Sequence, residues 1–200
     1  MTVEDLAVRR VTGTGVAVRG NDVDTDQVMP ARFMKEVSFE NMGEYVFHDA
    51  RRDADGELND HPFNRRVGAS IVIVNKNFGS GSSREHAPQG LMRWGIEAVV
   101  GESFAEIFAD NCTAMGLPAV TADQETIEGL QTFVEEHPDA GLELDVEQAR
   151  IITPEAEVSV DIDPAAQEAL TEGIWDTTAI MRANLGDTEA IAAALPYTDR

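Results

Sequence analysis

The middle third of the chain alternates between strand-like and helix-like segments, and this alternation constrains the fold more than any other feature. Residues 69–74, ASIVIV, form a short β-branched run typical of a strand covered on both faces. Residues 96–100 and 117–121 are further strand candidates. Three strands separated by two helices within about 50 residues predict parallel crossover units.

The ends of the two intervening helices are also marked in the sequence. Pro88 favours a helix start and Gly95 a helix end, because proline suits the first turn and glycine the position after the last. Ser103 and Glu106 have capping-box spacing, and Gly116 follows as a terminator. We therefore expect one helix before each of the second and third strands.

The flanking regions complete an α/β fold with a mixed sheet. Short connections predict that the later strands are antiparallel. The other expected segments are a strand or hairpin arm at 11–18, an exposed excursion at 49–66, a helix at 124–136, strands at 142–146, 150–153 and 157–162, and a C-terminal helical segment at 163–200. We expect residues 1–200 to form a single three-layer domain, with helices flanking the sheet.

The charge balance is strongly acidic, with 37 Asp and Glu against 15 Lys and Arg and a net charge of −22. Lys35 and Lys76 are the two lysines. Nucleic acid is excluded as an expected ligand, because binding it requires many basic residues. The acidity fits an ordinary soluble protein, but the poverty in lysine favours a halophilic cytoplasm, where salt screens the repulsion between carboxylates.

Membrane and metal sites are not expected within this chain. No apolar run approaches the roughly 20 residues of a membrane span, and the start MTVEDLAVRR carries charges, so we expect a cytoplasmic protein. Cys112 is the one cysteine, and it is read as a buried small residue. A site built from several thiolates therefore has to belong to a partner.

The segment NFGSGSSREHAP follows the strongest strand candidate, where α/β proteins place their ligands. Gly79 and Gly81 allow close approach of the backbone to a ligand, while Ser82 and Ser83 offer hydroxyls and amides to an anion. Arg84 adds a planar fork that matches a carboxylate. The alternative is a capped helix start, since Ser82 and Glu85 have capping-box spacing.

Three motifs in order, DVDTDQVMPARF, GSSREHAP and SFAEIFADNCTAMGLP, resemble the small subunits of 3-isopropylmalate dehydratases. More widely, they resemble the swivelling C-terminal domain of the aconitase superfamily. The likeness extends over nearly the whole chain, including EGIWDTTAI near its end. It implies a hydro-lyase that dehydrates a hydroxy diacid and rehydrates the alkene at the neighbouring carbon. It further implies a [4Fe-4S] cluster on a separate large subunit, as a Lewis acid.

The same resemblance assigns roles to residues of this chain. Ser82 matches the serine whose alkoxide removes the proton, and it needs surrounding positive potential to ionise. Ser83 and Arg84 match the residues that hold a substrate carboxylate, with Gly81 in the same loop. Asp26 matches an aspartate that orients an arginine or a partner histidine, although an Asx turn is its simpler reading. His86 is interpreted as structural.

One position departs from the single-chain aconitases, which carry a substrate arginine where this chain has Ser38. Arg32 is the nearest arginine, and it is either a substitute that binds substrate or a surface charge. The departure argues against citrate and favours a substrate with an apolar arm. Met29, Phe33 and Met34 are candidates for lining that arm, with core packing as the alternative.

Three functions remain open on the sequence. The first is the small subunit that isomerises 2-isopropylmalate and 3-isopropylmalate in leucine biosynthesis. The second is a small subunit of a related dehydratase of the methylmalate and citraconate or homoaconitate type. The third is a stand-alone anion-binding module.

Overall fold

The computed structural model describes residues 4–35 and 39–195. Its strands are β1 Arg10–Gly13, β2 Gly15–Val18, β3 Ile71–Val74, β4 Ala98–Gly101, β5 Ala119–Thr121, β6 Leu142–Asp145, β7 Arg150–Ile152 and β8 Glu157–Ser159. Its α-helices are α1 Thr25–Val28, α2 Pro62–Arg65, α3 His86–Trp94, α4 Glu106–Ala114, α5 Gln124–Glu136, α6 Pro164–Thr171, α7 Thr177–Ala183 and α8 Leu185–Ala194. Short 3-10 helices at Glu4–Leu6, Ala31–Lys35 and Met42–Tyr45 complete the described elements.

The strands form two four-stranded sheets. The parallel sheet has the order β2-β3-β4-β5, and the antiparallel sheet has the order β1-β6-β7-β8. The predicted α/β fold, with parallel crossovers followed by antiparallel strands, is confirmed. The two kinds of strand lie in separate sheets, however, and an isolated bridge between Thr121 and Asp161 connects them.

The segment at 11–18 was expected to be one strand or hairpin arm, and the structure divides it. β1 joins the antiparallel sheet and β2 joins the parallel sheet. Thr14 lies between them, and its carbonyl accepts hydrogen bonds from the backbone N–H groups of Ser70 and Ile71 at 3.0 and 3.2 Å. The prediction was wrong because a short apolar alternation does not reveal which sheet each half pairs with.

Alternate residues of the parallel sheet pack into two hydrophobic clusters. On one face, side chains such as Val16, Val72 and Val99 pack with residues of α3 and α4. On the other face, side chains such as Ile73 and Val100 pack with residues of α5 and with the antiparallel sheet. The parallel strands are therefore covered on both sides, as their apolar composition predicts.

Two helix starts differ from the sequence prediction. α3 begins at His86, two residues before Pro88. The predicted capping box of Ser103 with Glu106 does not form, because Ala105 is the N-cap of α4. The Ser103 hydroxyl instead accepts a hydrogen bond from the Asn77 N–H at 2.9 Å, so it supports the neighbouring loop.

The excursion at 49–66 is largely exposed but is anchored at α2. Phe63 is fully buried in the core. Nδ1 of His61 accepts a hydrogen bond from the Phe63 N–H at 3.2 Å and so caps α2. Burial, with the nearby charges of Arg51 and Arg65, lowers the pKa of His61 to about 4.

The later elements follow the predicted pattern closely as far as residue 195, and residues 196–200 of the predicted C-terminal helical segment lie outside the described residues. α5 occupies residues 124–136 as expected, and Asp163 caps α6 with Pro164 in its first turn. The Trp175 indole donates a hydrogen bond to the Leu6 carbonyl at 2.7 Å and so ties the segment after α6 to the N-terminal 3-10 helix. Among the helices described, none combines the length and apolar character needed to cross a membrane.

Candidate active site

The loop after β3 lies beside the segment that leads into α1. The Gly79 N–H donates a hydrogen bond to the Val23 carbonyl, and the Thr25 N–H donates one to the Ser80 carbonyl, both at 2.8 Å. Asp24 and Ser80 form an isolated parallel bridge. Two motifs that are distant in the sequence therefore meet at the carboxyl edge of the parallel sheet, where ligands bind in α/β folds.

Two glycines shape the loop for different reasons. Gly79 has a φ of 76°, and a Cβ added there would overlap the buried ring of Phe108. Gly81 has a φ of 94°, but its nearest neighbour would be the Asp24 Cβ at 3.5 Å, an ordinary contact. Gly79 is thus required by backbone conformation and by space, whereas Gly81 is required by conformation alone.

Ser82 and Ser83 are exposed at the tip of this loop. The Ser82 N–H donates a hydrogen bond to Oγ1 of Thr25 at 3.2 Å, and the Ser82 carbonyl accepts one from the Arg84 N–H at 2.7 Å. Ser82 does not cap α3, because the N-cap is Glu85 and no side chain caps that helix. The alternative reading of a capping box is therefore wrong.

Arg84 is held by Asp26 through two parallel hydrogen bonds. Nη1 donates to Oδ1, and Nη2 donates to Oδ2 at 2.9 Å. The side chain of Arg84 is 14% exposed and that of Asp26 is 53% exposed. The hydrogen bond from Arg84 lowers the pKa of Asp26, with a smaller contribution from the Ala31 backbone. Asp26 thus fixes the plane of the guanidinium and compensates much of its charge.

The Asx-turn role belongs to a neighbouring aspartate. Oδ1 of Asp24 accepts a hydrogen bond from the Gln27 N–H at 2.8 Å, and Oε1 of Gln27 accepts one from the Asp24 N–H at 2.9 Å. This reciprocal pair is a capping box that starts α1. Asp26 is consequently left available to pair with Arg84.

Arg32 lies in a different cluster. It donates to both carboxylate oxygens of Asp49, contacts Nδ1 of His48 at 3.1 Å, and lies 4.5 Å from the centroid of the Phe33 ring. The hydrogen bond from Arg32 lowers the pKa of Asp49 to about 2. In the described part of the chain, no recorded hydrogen bond of Arg32 reaches the loop at 79–84, and Ser38 lies outside the described residues.

The three candidates for lining an apolar substrate arm differ in burial. Met29 is fully buried, and its methyl group occupies the space next to Gly90 of α3. It therefore belongs to the core, and its reading as a lining residue was wrong. Phe33 is stacked on Tyr45 with 4.1 Å between ring centroids, whereas Met34 is exposed.

Thr25 is the residue that the sequence reading missed. Its hydroxyl accepts from the Ser82 N–H and donates to the Ser82 carbonyl at 3.1 Å. The aspartates on either side drew attention in DVDTDQ because carboxylates have an obvious chemistry. No sequence signal links a threonine to a serine in another motif.

The residues of this chain do not fit an iron–sulfur cluster. Cys112 is fully buried, and burial strongly raises the pKa of its thiol, so the thiolate that binds iron is disfavoured. Among the described residues, no three His, Cys, Asp or Glu side chains are grouped closely enough to hold a metal ion.

The fold and the loop define an aconitase C-terminal domain. Residues 7–125 match the family model described as the aconitase C-terminal domain. A solved structure of 3-isopropylmalate dehydratase from Methanocaldococcus jannaschii has the same fold, with a TM-score of 0.66, 22% identity, and coverage of 90% of this chain and 99% of that one.

Relatives with similar sequences identify the family within the aconitase C-terminal domains. The chain is 42% identical over 192 residues to the 3-isopropylmalate dehydratase small subunit of Synechocystis, which covers 95% of this chain and 94% of the relative. It is 46% identical over 168 residues to that of Thermus thermophilus, with coverage of 83% and 84%. The chain belongs to the family of 3-isopropylmalate dehydratase small subunits.

Proposed function

We propose that this chain is the small subunit of a heteromeric hydro-lyase that interconverts 2-isopropylmalate and 3-isopropylmalate in leucine biosynthesis. Family membership supports the reaction class. The observation that carries the catalytic assignment is the loop itself, in which Ser82 is exposed two residues before an arginine fixed by Asp26. This arrangement places a hydroxyl and a carboxylate-binding fork on one surface.

The residues have distinct roles in the proposed mechanism. Arg84 and Ser83 hold one carboxylate of the substrate, and Asp26 keeps the guanidinium oriented toward it. Oγ of Ser82, as the alkoxide, accepts the proton from the carbon next to the one that bears the hydroxyl. That hydroxyl leaves as hydroxide with the electrons of its C–O bond, a Lewis acid on the large subunit would accept it, and the electrons of the broken C–H bond form the double bond between the two carbons. Rehydration with the hydroxyl on the other carbon completes the isomerisation.

Among the described residues, much of the positive potential near Ser82 is already compensated. The charge of Arg84 is compensated by Asp26, and the N–H groups of Gly79 and Ser82 already donate to Val23 and Thr25. An exposed serine hydroxyl in these surroundings remains a weak base. The site therefore needs a second surface, and we propose the large subunit as its source.

The cofactor and the setting of the protein are part of the same proposal. The [4Fe-4S] cluster that the family resemblance implies is assigned to the large subunit, which agrees with the poor fit of this chain's own residues. The net charge of −22 and the two lysines support a cytoplasm rich in salt. Arg32 is proposed as a further substrate-binding residue, a role that requires its pair with Asp49 to open.

Reconstitution tests the proposed function. Purified small and large subunits are mixed without oxygen, and alkene absorbance is followed with 3-isopropylmalate. Turnover is expected from the pair and not from either chain alone. Ser82→Ala is expected to lower kcat at least about 10³-fold without weakening assembly, whereas Ser83→Ala keeps measurable turnover.

Four results would contradict the proposal. Turnover by the small subunit alone would remove the need for a partner. Near-normal turnover of Ser82→Ala would place the base elsewhere. Preference for methylmalate or homoaconitate in a panel of hydroxy diacids would assign the chain to a related dehydratase, and tight binding of phosphate by the isolated chain without any turnover would favour an anion-binding module.

A further inference from the structure

The Ser82 side chain depends on its own backbone for its position. It is exposed, and among the described residues no recorded hydrogen bond reaches its hydroxyl. The loop around it bends at Gly79 and Gly81, both with positive φ. Glycines of this kind permit the conformation but do not fix it, because they have the widest choice of backbone angles.

The Thr25 hydroxyl contacts both polar backbone groups of Ser82. It accepts a hydrogen bond from the Ser82 N–H at 3.2 Å and donates one to the Ser82 carbonyl at 3.1 Å. A single hydroxyl that bonds both groups of one residue restricts rotation about both φ and ψ. The direction in which the Ser82 Cα–Cβ bond points is fixed as a result.

Thr25 is itself held rigidly. Its side chain lies within the protein, with the residue 2% exposed. Its N–H donates to the Ser80 carbonyl at 2.8 Å, and its carbonyl accepts from the Met29 N–H at 2.8 Å as the first turn of α1. Among the described residues, the buried hydroxyl of Thr25 makes hydrogen bonds with Ser82 alone. The pairing with Ser82 therefore satisfies the hydrogen-bonding capacity of this hydroxyl.

We propose that Thr25 is a positioning residue for Ser82 in the reaction. This inference rests on the proposed function and adds a residue that the family motif does not assign. Thr25 and Asp26, at the start of α1, then have different roles. Thr25 holds the backbone of Ser82, and Asp26 holds the guanidinium of Arg84. Substrate affinity depends on Asp26 and Arg84, and the rate of proton transfer depends on Thr25.

The test compares Thr25→Val with Thr25→Ser in the reconstituted enzyme. Valine has nearly the shape of threonine but no hydroxyl, and serine keeps the hydroxyl. Thr25→Val is expected to lower kcat about 10–100-fold with KM changed less than about 3-fold, because a displaced base slows proton transfer without altering the carboxylate site. Thr25→Ser is expected to restore kcat to within about 3-fold of the wild type.

Thr153 provides a matched control. In the hairpin between β7 and β8, its hydroxyl also accepts from the N–H and donates to the carbonyl of one residue, Ala156, at 2.9 and 3.1 Å. It accepts a further hydrogen bond from the Glu155 N–H at 3.2 Å. Thr153→Val removes the same kind of contact and is expected to leave kcat unchanged. Urea unfolding of Thr25→Val and Thr153→Val measures how much stability each variant loses. If lost stability alone lowered kcat, both variants would show it.

A second readout does not depend on turnover. Amide hydrogen exchange of the isolated full chain is expected to be about 3–10-fold faster at Ser82 in Thr25→Val and unchanged at Ala156, with the reverse pattern in Thr153→Val. If Thr25→Val does not fold, Thr25→Ala makes the same comparison.

The outcomes separate the two proposals. An unaltered kcat in Thr25→Val, or unaltered exchange at Ser82, would overturn the role of Thr25. Equal loss of kcat in Thr25→Val and Thr25→Ser would also overturn it, because the hydroxyl would not be what matters. A wild-type pair that turns over no hydroxy diacid would contradict the proposed function, and the exchange measurement would still decide the contact.

Discussion

The two sheets are built from similar apolar residues but use their charged residues differently. At the carboxyl edge of the parallel sheet, Arg84 pairs with Asp26, and their side chains are 14% and 53% exposed. In the antiparallel sheet, Asp145 is 1% exposed and lies between Arg10 at 3.5 Å and Arg150 at 3.6 Å. One arrangement is a charge pair that reaches the surface, and the other encloses an anion between two arginines.

The difference follows from how the strands are connected. A parallel strand must be followed by a crossover, so every strand of that sheet ends in a loop at the same edge. Antiparallel strands are joined by tight turns, and here Ala149 with a φ of 49° and the Thr153 hydroxyl complete two of them. Tight turns of this kind leave no loop long enough to carry a site.

The largest effect is expected from a methyl group added at the edge of the parallel sheet, and the same change before a strand of the antiparallel sheet is the comparison. Gly79→Ala places a Cβ against Phe108 at a positive φ, so we expect a loss of about 2–4 kcal/mol in the free energy of unfolding and at least about 100-fold in kcat. Gly141→Ala precedes β6 with no atom within 4 Å of the new Cβ, and we expect a change within about 0.5 kcal/mol.

Urea unfolding and turnover of the reconstituted pair measure both glycine variants. Equal effects at the two positions would contradict the view that the parallel edge alone is shaped for a ligand.

An intermediate effect is expected from replacing an arginine guanidinium by a lysine ammonium group at each sheet. Arg84→Lys cannot make the two parallel bonds to a carboxylate, so KM is expected to rise about 10–100-fold with a smaller change in kcat. Arg150→Lys alters the pair with Glu157 at 2.7 Å and the contact with Asp145, and is expected to change neither constant. Steady-state kinetics of the two variants, each reconstituted with the large subunit, measures KM and kcat. A raised KM in Arg150→Lys would contradict the view that only the parallel sheet carries the substrate site.

The smallest effect is expected from salt. Molar potassium chloride weakens exposed pairs such as Arg84 with Asp26, but it also screens the repulsion of a chain with net charge −22. If the protein is adapted to salt, the second effect is larger, and the midpoint of urea unfolding is expected to rise between about 0.1 M and 1 M. A midpoint that stays constant or falls would rule out the halophilic setting. Urea is the suitable denaturant because guanidinium is itself a salt.

The fold could be predicted from local signals to the extent that those signals were strong. The strand at 69–74, the helix at 124–136 and the Asp163–Pro164 helix start lie where the sequence indicated them. The capping box at Ser103 failed because the same hydroxyl has a partner in a distant loop, the Asn77 N–H. The prediction that residues 1–200 form one domain, and the roles given to the site residues, stay predictions.

The sequence by itself determined the class of fold and the loop that bears the chemistry, since apolar periodicity, glycine positions and the string GSSREHAP are local properties. Only the tertiary structure decided that strand candidates at 11–18 divide between two sheets, that Met29 is core, that Arg32 pairs with Asp49, and that Thr25 holds Ser82. These outcomes depend on contacts between segments far apart in the chain, and a hydroxyl or a guanidinium takes whichever partner packing brings within hydrogen-bonding distance.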